Sequence, residues 1–429
     1  MRRQDQLTGQ LGESGRRAGA VDLRIEQACP QCGAPVELAE THQLLICAFC
    51  GVRNHLEGSR PFRFVLPAAR SAQQRFLYAP YLRFKGTIFL VSGESISHRV
   101  VDTTQVAHPA TFLPPSLGVR PQAMRLQRLD PDTSHHYLKQ TISPTAVLAK
   151  AAQVSSLTGQ AGRDLLHRAY IGESLSCIYL PLTRRQQTLV DAVTGQRLAG
   201  SEELIGLTTQ PFQEPWRIRC RASLCLHCGG PLHGAADCQV LTCANCHRGW
   251  TFADQGLIPV DWQIVPGDPG TPLYLPFWQL FGRIPVLEIS SYADFVVRTN
   301  QPFLPRPEWR ERPMSLWAPA FKLRPKIFLQ AGRQATIAQW QLRPQPGRVQ
   351  AGLFPVTLPS SEALQAAKII LATTTTSPRL VFPLLPRVNL TDVVSRLVYL
   401  PFVEKGYDWL QPHTGVVIGK NILRLGRAM

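Results

Sequence analysis

Hydrophobic and polar positions along the chain follow a strand pattern in most segments. Aromatic and aliphatic residues occupy both alternating sets of positions in 75–93, which predicts a strand buried on both faces at the centre of a sheet. Alternating or short apolar runs predict further strands at 61–67, 99–107, 176–182, 186–200, 262–267, 273–289, 326–330, 336–342 and 349–356. We therefore expect a chain rich in β-structure.

Three segments predict helices. A Ser-Pro pair opens the Ala- and Leu-rich segment 143–156, and Ser360 or Ser361 is a suitable N-cap for 358–375. Segment 162–172 is a shorter candidate. The 36 prolines disfavour long helices, since proline lacks the amide hydrogen that a helix interior needs. The predicted fold class is α+β and β-rich.

The strongest candidate chemistry is a cysteine pattern. Cys29 and Cys32 form one Cys-x-x-Cys pair, Cys47 and Cys50 form another, and fourteen residues separate the pairs. The same pattern recurs with the same spacer at Cys225, Cys228, Cys243 and Cys246. Four thiolates suit tetrahedral Zn²⁺ and leave no open position for catalysis, so the spacing predicts two structural zinc ions per chain. Iron is the alternative metal for such a site.

Glycine follows both pairs of the first motif. Gly33 and Gly51 stand where the backbone turns and a positive φ is needed. The pattern resembles the zinc-ribbon superfamily found in transcription factors and prokaryotic adaptor proteins. Over about 25 residues at each motif, the resemblance implies a three-stranded ribbon with zinc on the four cysteines. His247 departs from it by standing where glycine is common. Since ribbons bind proteins as well as nucleic acids, the resemblance leaves the partner open.

The two cysteine motifs belong to a longer internal repeat. Segment 77–86, LYAPYLRFKG, matches 273–282, LYLPFWQLFG, at the same 196-residue offset as the cysteines. Tyr179 and Tyr399 each begin a Tyr-Leu-Pro motif with equal spacing to a later Thr-Gly. The repeat predicts two homologous lobes, each with a four-cysteine zinc ribbon and a mostly antiparallel sheet domain with one or two short helices.

Composition and charge limit the kinds of partner and the cellular compartment that we expect. Lysine and arginine exceed aspartate and glutamate by 17, which permits an anionic partner. The first twenty residues lack the apolar core of a signal peptide, and no apolar run approaches eighteen residues. Because clustered zinc thiolates suit a reducing compartment, we expect a cytoplasmic protein.

Other clusters are weaker candidates for chemistry. The cysteines outside the two motifs are Cys177, Cys220 and Cys238, and the roles of these three are open. Residues that could form a further metal site beside the second motif are Cys220, Cys238, His227, His233 and His247. A second group, which we interpret as a solvated loop, is Asp130, Asp132, His135 and His136. No phosphate-binding loop, dinucleotide fingerprint or Ser/His/Asp arrangement is present.

Arginines beside the repeated Tyr-x-Pro motifs give the main alternative function. Arg63 and Arg83 could contact phosphates while the tyrosines stack on bases. Gln279 occupies the position of Arg83 in the second half, so the repeat does not support a basic groove in both halves. Nucleic-acid binding is therefore the second hypothesis.

These patterns predict a non-catalytic adaptor or scaffold that binds a partner protein of unknown identity. Nucleic-acid binding is the alternative, and an enzyme with a site between the lobes is a weaker one. We expect five parts: a flexible arm at 1–24, ribbon one at 25–56, a β-rich domain at 57–210, ribbon two at 211–254 and a second β-rich domain at 255–429.

Overall fold

A computed structural model describes residues 23–68, 76–93, 95–129, 136–143, 146–148, 165–200, 207–253, 256–268 and 270–426. Nearly all of the predicted N-terminal arm and most of the predicted helix at 143–156 lie outside these residues. Asp130, Asp132 and His135 also lie outside them, and His136 is exposed.

The described part of the chain is rich in short strands. In chain order they are β1 (Arg24–Ala28), β2 (Pro35–Ala39), β3 (Leu44–Ile46), β4 (Arg53–Glu57), β5 (Arg63–Val65), β6 (Leu77–Ser92), β7 (Ser95–Val106), β8 (Arg125–Arg128), β9 (His136–Leu138), β10 (Leu165–Arg185), β11 (Thr188–Asp191), β12 (Arg197–Ala199), β13 (Thr209–Gln210), β14 (Arg219–Ala222), β15 (Leu232–His233), β16 (Val240–Cys243), β17 (Gly249–Ala253), β18 (Gly256–Val260), β19 (Trp262–Ile264), β20 (Leu273–Arg283), β21 (Ser315–Pro319), β22 (Gln345–Pro346), β23 (Thr391–Lys405), β24 (Asp408–Leu410) and β25 (Val417–Gly419).

Helices are fewer, and most are short. The α-helices of the described residues are α1 (Arg120–Ala123), α2 (Tyr292–Arg298), α3 (Pro325–Ile337), α4 (Ser360–Thr374), α5 (Pro378–Val381) and α6 (Lys420–Gly426). Single 3₁₀ turns occur at Glu214–Trp216, Pro285–Leu287, Pro307–Trp309, Gln339–Gln341 and Phe382–Leu384. No helix in this part of the chain is both long enough and apolar enough to cross a bilayer.

Two large sheets form the body of the molecule, and most of their pairings are antiparallel. The first has the order β13-β9-β6-β10-β5-β8-β1-β2, with β7 beside β6 and the hairpin β11–β12 beside β10. The second has the order β21-β20-β23-β19-β22, with β24 and β25 attached to β23. β6 lies between neighbours on both sides, so the predicted central strand at 75–93 is confirmed.

The central strands of the two sheets pair in the same way. Tyr179 of β10 lies opposite Pro80 of β6, and Tyr399 of β23 lies opposite Pro276 of β20. In each sheet this tyrosine also pairs, in parallel, with a strand that lies in the sequence between the cysteine motif and the central strands, β5 in one case and β19 in the other. The amide of the residue after that strand donates to the tyrosine carbonyl in both sheets.

The segments that carry the cysteine motifs form two smaller sheets and join the first large one. The strand order is β14-β4-β3 in one small sheet and β15-β16-β17-β18 in the other. β2 pairs instead with β1 and thus extends the first large sheet. The strands around the two motifs thus differ in detail from the expected three-stranded ribbons: the first motif divides its strands between two sheets, and the second builds four strands.

Three segments differ in secondary structure from the prediction. Segment 162–172, a predicted helix, contributes to β10, whose residues pair with β6 over most of its length. Segment 326–330, a predicted strand, lies within α3, where Phe328, Ala331 and Ala335 are buried at helical spacing. Segment 336–342, also a predicted strand, contains the end of α3 and the 3₁₀ turn at Gln339–Gln341. The helix predicted at 358–375 is confirmed as α4.

One hydrophobic core extends from the second sheet into the first. Phe89 of β6 and Ile171 of β10 belong to the same buried cluster as Trp317 of β21 and Phe328 of α3. The rings of Phe89 and Phe328 lie 6.4 Å apart between centroids. α4 lies against β10, and its buried Glu362 accepts a hydrogen bond from the backbone amide of Gly172. Because the two sheets bury side chains in one core, the folding of each sheet is coupled to the folding of the other.

Candidate metal centres

The first cysteine motif brings four sulfurs together. The Sγ atoms of Cys29 and Cys50 lie 3.7 Å apart, as do those of Cys32 and Cys47. All four lie within 4.8 Å of one another. Cys29 and Cys47 are buried, whereas Cys32 and Cys50 are exposed, so one side of the cluster faces the core and the other faces solvent.

Backbone hydrogen bonds shape each turn of this first cluster. The amide of Cys29 donates to Ala34 O (2.8 Å), and the amide of Gly33 donates back to Cys29 O (2.9 Å). Cys47 repeats the arrangement with Val52 O (3.1 Å) and Gly51 N (3.0 Å). Gly33 and Gly51 have φ of +71° and +73°, as their positions in the sequence predict.

The second cysteine motif repeats this geometry. The Sγ atoms of Cys225 and Cys246 lie 3.6 Å apart, and those of Cys228 and Cys243 lie 3.4 Å apart. The four sulfurs again lie within 4.8 Å of one another. His247, in the place where glycine is common, has a φ of +59°, so a histidine adopts the left-handed conformation that the turn requires.

The sulfur spacing fits a tetrahedral metal site. Sulfurs bound to Zn²⁺ lie about 2.3 Å from the ion, which places tetrahedral ligands about 3.8 Å from one another. The closest sulfur pairs, at 3.4 to 3.7 Å, are near that value. Each cluster could therefore hold one metal ion, and its thiolate donors are compatible with zinc.

The acid–base properties of the thiols also favour a cation at each centre. A hydrogen bond from the Cys50 amide lowers the pKa of Cys47 to about 7, despite some burial. Cys50 has the opposite balance: the Val52 amide lowers its pKa, but burial and the three neighbouring sulfurs raise it to about 12. Without a cation, the ionised form is thus favoured at Cys47 and disfavoured at Cys50. A divalent metal ion would stabilise all four thiolates.

The second centre also contains one thiol with a lowered pKa and one with a raised pKa. Burial raises the pKa of Cys225, but hydrogen bonds from the amides of His227 and Cys228 outweigh it, and the pKa falls to about 6. For Cys228 the Gly230 amide lowers the pKa, yet the neighbouring sulfurs and burial raise it to about 12. A divalent ion bound at this cluster would favour the thiolate form of Cys228 as well as that of Cys225.

Hydrophobic packing joins the two centres. Leu44 of β3 is fully buried in a cluster with Cys225, Cys243 and Trp250. The amides of Gln43 and Leu44 both donate to Ala236 O, at 2.7 and 3.0 Å. β14, which precedes the second motif, pairs with β4, which follows the first. The two metal-binding segments are thus packed on each other.

The additional cysteines and histidines beside the second motif do not gather into a third metal site. Among the described residues, the only groups of three or more His, Cys, Asp or Glu side chains close enough to share an ion are the two four-cysteine clusters. Cys238 is buried in the hydrophobic cluster around Trp250, and His227 and His233 are exposed. His247 accepts a hydrogen bond at Nδ1 from the Val349 amide (3.3 Å).

The two candidate nucleic-acid residues lie in different environments. The Arg63 guanidinium is half-buried, with its Cζ 4.9 Å from the centre of the Trp216 ring. The Arg83 side chain is fully buried and forms a two-bonded ion pair with Asp102, at 2.8 Å for each bond. Arg83 presents no surface to a phosphate in this conformation.

Arg83 instead belongs to a buried polar cluster that the sequence did not reveal. Its guanidinium also contacts the carboxylate of Glu40, which is fully buried and lies in the turn between β2 and β3. Ser176 of β10 donates to the same carboxylate (2.9 Å). This ion pair joins the first metal-binding segment to the centre of the first sheet. Glu40 stands between the two cysteine pairs in the sequence. Its pairing with Arg83 could have been predicted only from knowing how β6 packs against that turn.

In comparisons with known proteins, no family model, no curated protein and no solved structure matches the chain.

Proposed function

We propose that this protein is a non-catalytic adaptor in which two zinc-ribbon lobes hold a partner protein. The observation that carries the proposal is the pair of four-cysteine clusters. Four cysteine ligands fill a tetrahedral zinc ion, so no coordination position remains for substrate or water. Zinc at such a site stabilises a small module rather than performing chemistry.

Each ribbon carries an exposed apolar side chain that suits protein binding. Phe49, between the second pair of cysteines, is 74% exposed, and Leu226, between the third pair, is 68% exposed. Both side chains lie on turns held by backbone hydrogen bonds and anchored by a metal centre. Rigid apolar residues of this kind bind a partner with little loss of conformational entropy.

We also propose that the chain arose by duplication, with lobes at 25–210 and 211–429. The identical knuckle hydrogen bonds and the equal registers around Tyr179 and Tyr399 support it. The hairpins that follow these tyrosines also agree: Gly195 donates to Asp191 O in one, and Gly415 donates to Gln411 O in the other. Independent origins would not be expected to reproduce metal turn, sheet register and hairpin in the same order.

Cysteine chemistry supports a cytoplasmic location for this adaptor. All eleven cysteines are free of disulfides, and eight of them belong to the two metal clusters. Clustered thiolates keep their metal only where they stay reduced.

A variant comparison tests the adaptor proposal. Partners would be captured by cross-linking in the native cell and identified by mass spectrometry. We expect the double variant Phe49→Ser with Leu226→Ser to lose a defined set of proteins that wild type retains. Leu380→Ser, which changes a side chain that is 63% exposed and far along the chain, is the matched control. Retention of the same proteins by all three would contradict the proposal.

Nucleic-acid binding is the alternative, and the net charge of +17 favours it. Arg63 beside Trp216 is its best candidate contact, since an aromatic ring and a guanidinium are suited to a base and a phosphate. Titration of duplex and single-stranded nucleic acid near physiological salt separates the two functions. Affinity of about 10⁻⁸ M that Arg63→Gln abolishes would favour the alternative. Weak binding that Arg63→Gln does not change would leave the adaptor proposal in place.

A further inference from the structure

A cleft of about 330 Å³ lies in the second half of the chain, away from both metal centres. Three arginines, Arg306, Arg312 and Arg343, line it together with Trp309 and Trp340. Its volume is at the lower end of the range for small-molecule sites. A concentration of guanidinium groups and indole rings in so small a space calls for a functional explanation.

The cleft is built largely by a segment that the first half lacks. Phe277 of β20 pairs with Pro319 of β21, 42 positions later, whereas Tyr81 of β6 pairs with Val106 of β7, only 25 positions later. The longer connection contains α2 and the 3₁₀ turn at Pro307–Trp309. This connection supplies Arg306, Trp309 and Arg312 to the cleft.

Backbone carbonyls and indole rings hold the three guanidiniums in place. Arg312 donates to Trp340 O (3.1 Å) and Gln339 O (2.6 Å), and Arg343 donates to the same Trp340 O (2.6 Å). Arg306 lies over both indoles, with its Cζ 4.6 Å from the Trp340 ring and 5.2 Å from the Trp309 ring. The groups are therefore preorganised, and the N–H groups not used in these bonds remain available to a ligand.

These three guanidiniums form no ion pair with a carboxylate of the described residues, although Glu308 and Glu311 line the same cleft. Within the described part of the chain, no carboxylate oxygen lies within 4 Å of Arg306, Arg312 or Arg343, although other arginines form such pairs. Burial, together with repulsion from Arg343, lowers the pKa of Arg312. Only Arg312 is half-buried, since Arg306 and Arg343 are exposed, but placing three like charges around one cleft still costs free energy that an anion would recover.

Two exposed carboxylates at the cleft, Glu308 and Glu311, narrow the choice of ligand. They would repel a bare anion but would accept hydrogen bonds from hydroxyl or amino groups. A ligand with an oxyanion at one end and such donors at the other satisfies both sets of residues.

We propose that this cleft binds a small organic molecule that carries a phosphate or carboxylate group together with hydroxyl or amino groups. The oxyanion lies against Arg312 and Arg343, and the donors face Glu308 and Glu311. Arg306, which lies over the two tryptophan rings, covers the site from that side. This site is independent of the adaptor function, since neither cysteine cluster contributes to it.

Calorimetric titration of the full zinc-loaded chain, at near-physiological salt, tests the proposal. Glucose 6-phosphate and L-glutamate are the probes for the phosphate and carboxylate forms. We expect saturable 1:1 binding of one probe, weakened about tenfold or more by Arg343→Gln, since a charge-assisted hydrogen bond is lost. Arg343 is exposed, so this variant should fold. Arg333→Gln, an exposed arginine of α3 that does not line the cleft, is the control.

Two further variants sharpen the outcome. Arg312→Lys keeps the charge but loses the planar fork and should also weaken the probe. Glu311→Gln should weaken the probe but not inorganic phosphate, because phosphate has no hydroxyl or amino group apart from its own oxyanion centre. Absence of saturable binding by both probes up to about 10 mM, a concentration above the usual range for specific small ligands, would overturn the proposal. Equal effects of Arg343→Gln and Arg333→Gln would overturn it as well.

Discussion

Replacing Arg83 by glutamine tests the coupling between the first metal-binding segment and its sheet. The Arg83 and Glu40 side chains are both fully buried, and Ser176 also donates a hydrogen bond to the Glu40 carboxylate. Arg83→Gln leaves that carboxylate buried without its cation. Removing one partner of a buried pair costs about 3–5 kcal/mol, because the remaining charge is uncompensated. Asp102 retains partial solvent exposure, so its contribution should be smaller.

The double variant Glu40→Gln with Arg83→Gln separates the ion pair from simple loss of packing. With both charges removed, neutral amides replace a pair whose desolvation was itself costly. Gln279 occupies the equivalent position of the second sheet, pairs across to Trp317 and donates to Ser315 Oγ (3.2 Å). We therefore expect the double variant to be more stable than Arg83→Gln alone, with a coupling free energy of about 1–3 kcal/mol.

Urea denaturation of the zinc-loaded protein, followed by far-UV circular dichroism, measures these differences. Arg125→Gln is the control, because Arg125 forms an ion pair with Glu26 in which both side chains are more than half exposed. Exposed pairs contribute little, so the control should unfold close to wild type. If Arg83→Gln unfolds at the same urea concentration as the control, the buried pair does not couple the segment to the sheet.

Three further predictions concern the metal centres and the contact between the sheets. By elemental analysis, the purified protein should contain two zinc ions per chain, and the Cys47→Ser variant should retain one. Iron in the purified protein, or two ions retained by the variant, would refute this prediction. Gly51→Ala should cost about 1–2 kcal/mol in urea denaturation, since φ is +73°, whereas Gly419→Ala, at an ordinary φ, should cost less. Burial, with a smaller effect of Lys368, lowers the pKa of His167 to about 4. The free energy of unfolding should therefore fall as pH drops from about 6.5 to about 4, and it should fall less in His167→Gln. Equal pH profiles of stability in wild type and variant would contradict this prediction.

The metal ligands could be predicted from sequence because their chemistry is local. Cys-x-x-Cys fixes two sulfurs on one turn, and the equal spacers indicated that the pairs act together. The positive φ of Gly33 and Gly51 followed from the same argument. Nothing local indicated that the strands of the first motif would divide between two sheets, since that depends on β1 and β14, which are distant in sequence.

The misassigned segments show where tertiary contacts override local preference. Segment 162–172 contains helix-forming Leu, Arg and Ala, yet its described residues, 165–172, lie in a long strand because β6 offers a partner along them. Segment 326–330 contains β-favouring Ile and Phe. Its burial nevertheless continues at helical spacing through Ala331 and Ala335, against α4 and β21. Both errors came from reading a short window whose pairing partner lies far away in the chain.

The two metal-binding segments have the same turns but different attachments to their sheets. The first is held by the buried pair of Glu40 and Arg83. The second is held through His247, whose carbonyl accepts from Trp262 Nε1 (2.8 Å) and whose ring accepts from the Val349 amide. Glycine would relieve the positive φ at this position but would remove the ring contact. The departure from glycine is therefore explained by this ring contact, because the histidine exchanges backbone strain for a hydrogen bond with Val349, in the segment that follows β22.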